Sequence, residues 1–392
     1  MRHYGLTRLT SLSWLCRVIV VLTAFAVCQG QTTQNNIPPP HSRIAEIYFG
    51  VIEPPVVAQG DITVRAPASN QKLEPLPLEC SSMAWFDGRL LISSDRHQHL
   101  IFVSTLDLNK MTIGTPQPYV IIRNEQNLLD DAESLTFKRN PDGSLMVYAL
   151  CSLSNDLSEL PLPMRRHMLR FHLQQLEPFT FDYPVVFNAG SVRQSLNRYF
   201  QKLGVQPYRT YFADFAGSNK NTYRWGNVEG ITFTPDGSRL MCGLRNPLFD
   251  NLALLFVISG VDQAFDAQDP SLLKVTDLFA LDLGERGVSD LCWDPLTQGY
   301  LIAAAKSNGP KLDKDQPFPP NTLDAALFWW SGRKSEKPII FARVPDMKIE
   351  AICRLGDSRF IAIGSDEGDV SEGRSQRQSV LTIMDFTAVP QP

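Results

Sequence analysis

Cysteine is scarce in this chain. It has seven in 392 residues, and none stands in Cys-x-x-Cys spacing. Two of them, Cys16 and Cys28, fall in an N-terminal leader. The remaining five, Cys80, Cys151, Cys242, Cys292 and Cys353, are an odd count that argues against a disulfide framework or a zinc site. A basic excess is also absent: 37 Lys and Arg face 41 Asp and Glu, a formal charge of -4, where a nucleic-acid scaffold would carry a basic face. No block of like charge is long enough for a charged disordered tail. Nor is there a run of transmembrane length. The cleanest apolar stretch, Val18 to Val27, is about half the roughly 20 residues that spanning requires, and Arg17 precedes it. Finally, no Ser-His-Asp constellation is legible, and His97 and His99 read as lone loop histidines.

Arg2, His3 and Arg8 ahead of that apolar stretch, with small residues at Ala26, Cys28 and Gly30, have the layout of a secretory signal peptide over residues 1–30. The expectation is export to the periplasm or beyond, with no membrane contact after cleavage. Residues 31–42, with three consecutive prolines, read as an extended leader, and 43–392 as a single domain.

Within that domain a short pattern recurs: Ser or Glu, a spacer, an aliphatic residue, a second spacer and an aromatic. It appears as Ser81 to Trp85, Glu133 to Phe137, Glu229 to Phe233 and Ser289 to Trp293, and as Glu350 to Cys353, which continues to Arg354 without the aromatic. The lead residues are separated by 52, 96, 60 and 61 residues. Such a period marks a propeller or array. Each repeat holds short alternating strands punctuated by turns such as Asp87-Gly88 and Pro235-Asp236-Gly237. The fold expected is therefore all-β: a β-propeller of five blades, with six as the alternative if the long interval hides another. Strands from both chain ends close the ring, the N-terminal one drawn from Ile44–Val51 or Ile62–Arg65. The long interval carries a partly helical insertion at 189–225, with helical spacing from Ser191 to Leu203.

In a propeller the first strand of each blade lines the axis, so Ser81, Glu133, Glu229, Ser289 and Glu350 should converge at one mouth. Three carboxylates and two hydroxyls, with no His or Cys, form a hard-oxygen set suited to calcium, with magnesium as the alternative. Capping of inner-strand amides, or bonding between neighbouring blades, is the competing role for these residues. Second strands end on the same face, which places Asp95, Arg96, Arg245, Lys306 and Asp366 on the rim. Arg96, Arg245 and Lys306 would bind a small anionic, phosphorylated ligand. Asp95 and Asp366 are candidate catalytic bases by position. Cys292 and Cys353 read as small buried residues on inner strands, and the paired Trp329 and Trp330 should face opposite sides of their strand.

Glu229 to Leu248 resembles the signature stretch of an uncharacterised family of exported bacterial proteins, a domain of unknown function with propeller character. Asp131-Ala132-Glu133-Ser134-Leu135 is similar to the Asp-Ala-Glu-Gly-Leu motif of esterase-like phytase propellers. The order Ser, Glu, Glu, Ser, Glu also resembles the axial calcium ring of calcium-activated nucleotidases. These resemblances imply a metal-dependent phosphohydrolase acting on nucleotide or phytate-like compounds. The other class of function is a non-catalytic propeller that binds a ligand or a protein partner, with calcium structural. Sugar recognition through Trp329 and Trp330 is a third.

Overall fold

The computed structural model describes residues 56–65 and 75–386, apart from internal segments of which the longest are 123–128, 155–161, 203–226, 307–323 and 367–378. The expected signal peptide and leader lie outside the described residues. Strands β1 (Val56–Arg65) and β2 (Pro75–Pro77) come first in the chain. Blade one contains β3 (Cys80–Phe86), β4 (Arg89–Ser94) and β5 (Leu100–Asp107), with β6 (Thr112–Ile113) and β7 (Gln117–Val120) both on its outer edge. Blade two follows with β8 (Ser134–Arg139), β9 (Leu145–Leu150) and β10 (His167–Leu176), edged by β11 (Phe179–Phe181) and β12 (Val185–Asn188). After helix α1 (Ser191–Lys202), blade three is β13 (Asn227–Phe233), β14 (Leu240–Asn246), β15 (Ala253–Ser259) and β16 (Lys274–Leu281), with helix α2 (Val261–Ala267) between its last two strands. Blade four is β17 (Gly287–Asp294), β18 (Gly299–Ala305), β19 (Asp324–Trp330) and β20 (Ile339–Pro345).

Blade five takes only β21 (Ile349–Arg354), β22 (Phe360–Asp366) and β23 (Ser379–Asp385) from the C-terminal end. Its fourth strand is β1, antiparallel to β23, with Gln59 opposite Thr382 and Asp61 opposite Val380. This is the closure expected, using the strand that contains Ile62–Arg65. It pairs the β23 edge of blade five, which would otherwise be open to another chain. The inner strands β3, β8, β13, β17 and β21 touch in that order, and β21 returns to β3, giving a five-bladed propeller.

The core is divided among the blade interfaces. Five clusters of buried apolar side chains lie between adjacent sheets; one, for example, joins Leu150 and Met168 of blade two to Ile231, Cys242 and Phe256 of blade three. Strand alternation feeds each sheet's two faces into the two neighbouring clusters. The first hairpin turns at Asp87 (φ 44) and Gly88 (φ 83), two positive φ values that match the twist of tightly joined strands.

Both helices lock blades two and three. On α1, Val192 and Leu196 are buried in their shared core, and Ser195 Oγ accepts the Val275 amide at 2.8 Å. The sequence pattern marked α1 but assigned no element to the residues of α2. Asp262 on α2 accepts from Tyr148 Oη at 2.5 Å and from Lys138, both in blade two. The hydrogen bond to Asp262 and burial hold the Tyr148 hydroxyl well above its ordinary range, burial being the larger cause.

At the repeat's aromatic position, blade five carries Arg354. Its Nε and NH2 donate to Asp294 Oδ1 and Oδ2 at 3.0 and 2.6 Å, its guanidinium stacks on Phe386, and the pair is buried between blades four and five. Removing one member leaves the other charge buried and alone, which costs about 3–5 kcal/mol. Asp294→Ala should therefore lower unfolding stability in urea by that order, whereas the double variant Asp294→Leu with Arg354→Met should lose clearly less. Equal losses in the two would show that packing, and not charge, holds this interface.

Candidate functional site: the axial mouth

Four of the five inner strands carry a register shift at the same place. The shifts fall between Cys80 and Ser82, Val228 and Gly230, Val288 and Asp290, and Ile349 and Ala351. The residue skipped in each is the lead residue of the repeat: Ser81, Glu229, Ser289 or Glu350. Glu133 stands at the equivalent place, immediately before β8. A bulge leaves its extra residue out of the ladder and re-aims its side chain, so the repeated bulge is the local device that delivers these groups to one end of the axis.

The centre of that ring is occupied by a side chain from the second strand of blade three. Arg245 NH1 donates to Glu229 Oε2 at 2.9 Å and to Glu350 Oε2 at 2.8 Å, and NH2 donates to Glu350 Oε1 at 3.1 Å. Asn227 Nδ2 donates to the other oxygen of Glu229, and Lys348 Nζ lies 3.4 Å from Glu350. Burial raises the Glu229 carboxyl; Arg245 pulls it back, Glu350 pushes it up further, and it rests at about 8. Burial works against the Arg245 charge, but Glu229 and Glu350 outweigh it and hold the guanidinium above its ordinary range.

The remaining ring residues are differently engaged. Ser81 Oγ donates to the Ala132 carbonyl at 2.5 Å and pairs with Ser93 Oγ at 3.0 Å, which is the bonding between neighbouring blades weighed against ligation. Ser289 Oγ is buried without a hydrogen-bond partner. Glu133 is buried, and its charge reaches both Arg245 and Arg165. A five-ligand calcium ring does not fit this arrangement, because the guanidinium already stands between two of the three carboxylates. Among the described residues no group of three or more His, Cys, Asp or Glu is placed to hold an ion.

On the rim, Arg245 was expected to face a phosphate; it turns inward to the carboxylates instead. Lys306 follows β18 and lies 3.9 Å from Asp324 Oδ2, while Arg343 lies 3.9 Å from Oδ1 of the same carboxylate. Arg286 NH2 takes Asp324 Oδ2 at 2.5 Å, so three cations share one acid and the two outer ones are held loosely. Burial would raise the Asp324 carboxyl, but the Arg286 hydrogen bond and the surrounding cations leave it below its ordinary value. Asp366 ends β22 opposite Ser379, with its side chain outside the described residues, as are Asp95 and Arg96.

Several members of the site were missed in the sequence. Asn227 was one, though its place two residues before Glu229 could have marked it. Asp131, at φ 63, accepts from Ser152 Oγ at 2.5 Å and from Ser154 Oγ at 3.2 Å; Arg165 lies 3.1 Å from it and donates to Asp130 at 3.2 Å. One residue further along β17 from Ser289, Asp290 is sealed at the axis, where it accepts from Leu291 N and Ile352 N at 2.9 Å each and from Ser82 Oγ at 3.3 Å. Burial pushes its carboxyl well above the usual range despite these bonds.

No protein-family model and no curated protein matches the sequence. Solved structures do. A luciferin-regenerating enzyme aligns at TM-score 0.35 and 8% identity, covering 84% of this chain and 98% of its own. A family 43 arabinoxylan arabinofuranohydrolase from Bacillus subtilis aligns at TM-score 0.43 and 12% identity, covering 79% and 63%. The propeller domain of Cps50 (Swd1) from Myceliophteria thermophila aligns at TM-score 0.33 and 11% identity, covering 84% and 100%. At these identities no site residue or activity is carried across.

Two measurements check the electrostatics of the mouth. A carboxyl raised in the fold contributes stability that is present below its unfolded value of 4.5 and lost as pH rises through about 8. The thermal midpoint of Glu229→Gln should consequently fall less between these pH values than that of the wild type. Calcium should not shift the wild-type midpoint, but it should raise that of Arg245→Ala, in which the carboxylates have lost their cation. A wild-type shift on adding calcium would overturn the arrangement of ring and guanidinium described here.

Proposed function

We propose that this chain is an exported hydrolase working at the axial mouth, with Glu229 as the group that transfers a proton and a small phosphorylated compound as substrate. The observation that carries the reading is Glu229 itself: a buried carboxyl, aimed at the axis by a bulge and raised to about 8. Perturbed carboxyls concentrate at functional sites, and a group that titrates near neutrality can both give and take a proton at working pH. Arg245 and Asn227 fix its two oxygens in place, so that little reorganisation is required when the charge changes. Lys306, only loosely held by Asp324, is the rim cation best able to exchange a protein carboxylate for a substrate phosphate. In hydrolysis of a phosphoric ester, the water oxygen bonds to phosphorus as the bond from phosphorus to the departing oxygen breaks; that oxygen takes the Glu229 proton, and the proton lost by the attacking water returns through solvent to the Glu229 carboxylate.

One observation favours a second reading, in which the propeller binds without turnover. Arg245 is already satisfied by two carboxylates, and no other cation described at the axis stands free to stabilise a transferring group.

Purified protein assayed against nucleotides, phytate and p-nitrophenyl phosphate should show turnover that declines as pH rises through about 8, the mark of a proton donor. Glu229→Gln should lose at least about 100-fold in kcat, at the low end of general acid catalysis. Lys306→Ala should raise KM with a smaller effect on kcat. Saturable binding of a phosphorylated compound with no turnover at any pH would replace the hydrolase with the binding reading.

A further inference from the structure

The other end of the axis holds a cavity of about 750 Å³. It is built from the same repeat, read past its lead residue. Met83, Leu135, Ile231 and Leu291 line its floor, Ala84, Thr136, Thr232, Cys292 and Cys353 its wall, and Trp85, Phe137, Phe233 and Trp293 its rim. Along each inner strand the floor residues follow the level of Asp290 and Ser82, so that sealed polar layer separates the cavity from Glu229. The volume falls within the range of small-molecule pockets, about 300–1,000 Å³, and the lining is apolar toward the axis and polar at the hairpin turns, where Lys138, Arg139, Asn140, Asp236 and Asp357 stand.

Its polar groups distinguish it from a packing defect. Trp330 Nε1 donates to the Arg333 and Glu336 carbonyls, and Trp329 Nε1 donates to Thr297 Oγ1 at 2.9 Å. The two tryptophans in the cavity differ. Among the described residues neither Trp85 Nε1 nor Trp293 Nε1 has a hydrogen-bond partner. The Thr136 hydroxyl is in the same condition, whereas Thr232 Oγ1 is committed to the Trp293 amide at 3.0 Å. Around the opening Lys138 is paired with Asp262, Arg139 with Asp87, and Arg354 with Asp294, while Asp236 and Asp357 add two carboxylates with no ion pair among the described residues. An anionic ligand is disfavoured by this surround. A neutral ring compound gains ring contacts from the half-buried Trp85, Phe137 and Trp293, and its oxygens can accept from two indole N–H groups and a threonine hydroxyl.

We propose that this cavity is a second ligand site, independent of the axial mouth, for an uncharged ring compound carrying acceptor oxygens such as a carbonyl. The site requires no change in Glu229, Arg245 or Lys306, and it stands whether or not the mouth is catalytic.

The test uses 7-diethylamino-4-methylcoumarin, a neutral fluorescent ring compound with a carbonyl acceptor. Titrated into the full chain, it should bind saturably and quench tryptophan emission by energy transfer. Trp85→Phe and Trp293→Phe keep a ring but remove a donor, and each should weaken binding about two- to tenfold, the worth of one neutral hydrogen bond. Thr136→Trp should fill the wall and weaken binding more than tenfold; Ala84→Phe serves the same purpose if that variant fails to fold, as judged by circular dichroism. Glu229→Gln should bind the coumarin as the wild type does. Absence of saturable binding to folded wild type, or equal affinity in the filled variant, overturns the site. Unchanged affinity in both Trp→Phe variants overturns its donor chemistry.

Discussion

Five inner strands can meet around one axis only if what they bring to the centre fits there, and Asp290 is where the fit is tightest. Its carboxyl accepts from the Ser82 hydroxyl of blade one and the Ile352 amide of blade five, while Ser82 in turn receives the Leu135 amide of blade two. Four blades are thereby joined through one buried acid. Blade three contributes space: a Cβ on Gly230 would lie 2.9 Å from Asp290 Cα and 2.7 Å from Leu291 N. A polar group so deeply buried is tolerable only because its bonds are made, and making them fixes the relative heights of the blades. The lead residues above and the apolar floor below inherit their positions from this layer.

That arrangement divides the axis into two chemically different ends. Above the Asp290 layer, bulged residues place carboxylates and hydroxyls around Arg245. Below it, regular alternation resumes and presents aliphatic, small and aromatic side chains in turn. The same five-residue pattern thus yields a charged mouth and an apolar funnel, because a single bulge interrupts strand alternation between them. Interfaces are held by different means around the ring. Between blades four and five a buried Arg354 and Asp294 pair takes the place of an aromatic wedge, and between blades two and three α2 supplies Asp262 as a shared acceptor.

The repeat was legible because blades must bury similar faces. Ser81, Glu133, Glu229, Ser289 and Glu350 were correctly grouped as equivalent, and strand alternation located the blades and the closing N-terminal strand. Asp290 was passed over because it was read as a mere spacer; only its depth at the axis gives it three hydrogen bonds. Arg245 was placed near the mouth by counting along its strand. Whether its guanidinium faced solvent or the carboxylates depended on Glu350, 105 residues away, and on their shared burial. Helix α2 was hidden for a local reason, since seven residues are too few to display a helical period.

By itself the sequence determined that the chain repeats, that its strands alternate and that five oxygen-bearing residues occupy one register, because these follow from local spacing. Only the tertiary structure decided what those oxygens meet. Burial and distance across the axis gave Glu229 and Glu350 a guanidinium between them, left Ser289 without a partner and sealed Asp290 between blades. It also left two indole N–H groups unpaired in a funnel at the far end. Such outcomes depend on the juxtaposition of residues far apart in the chain, and local spacing carries no information about which of them will share the axis.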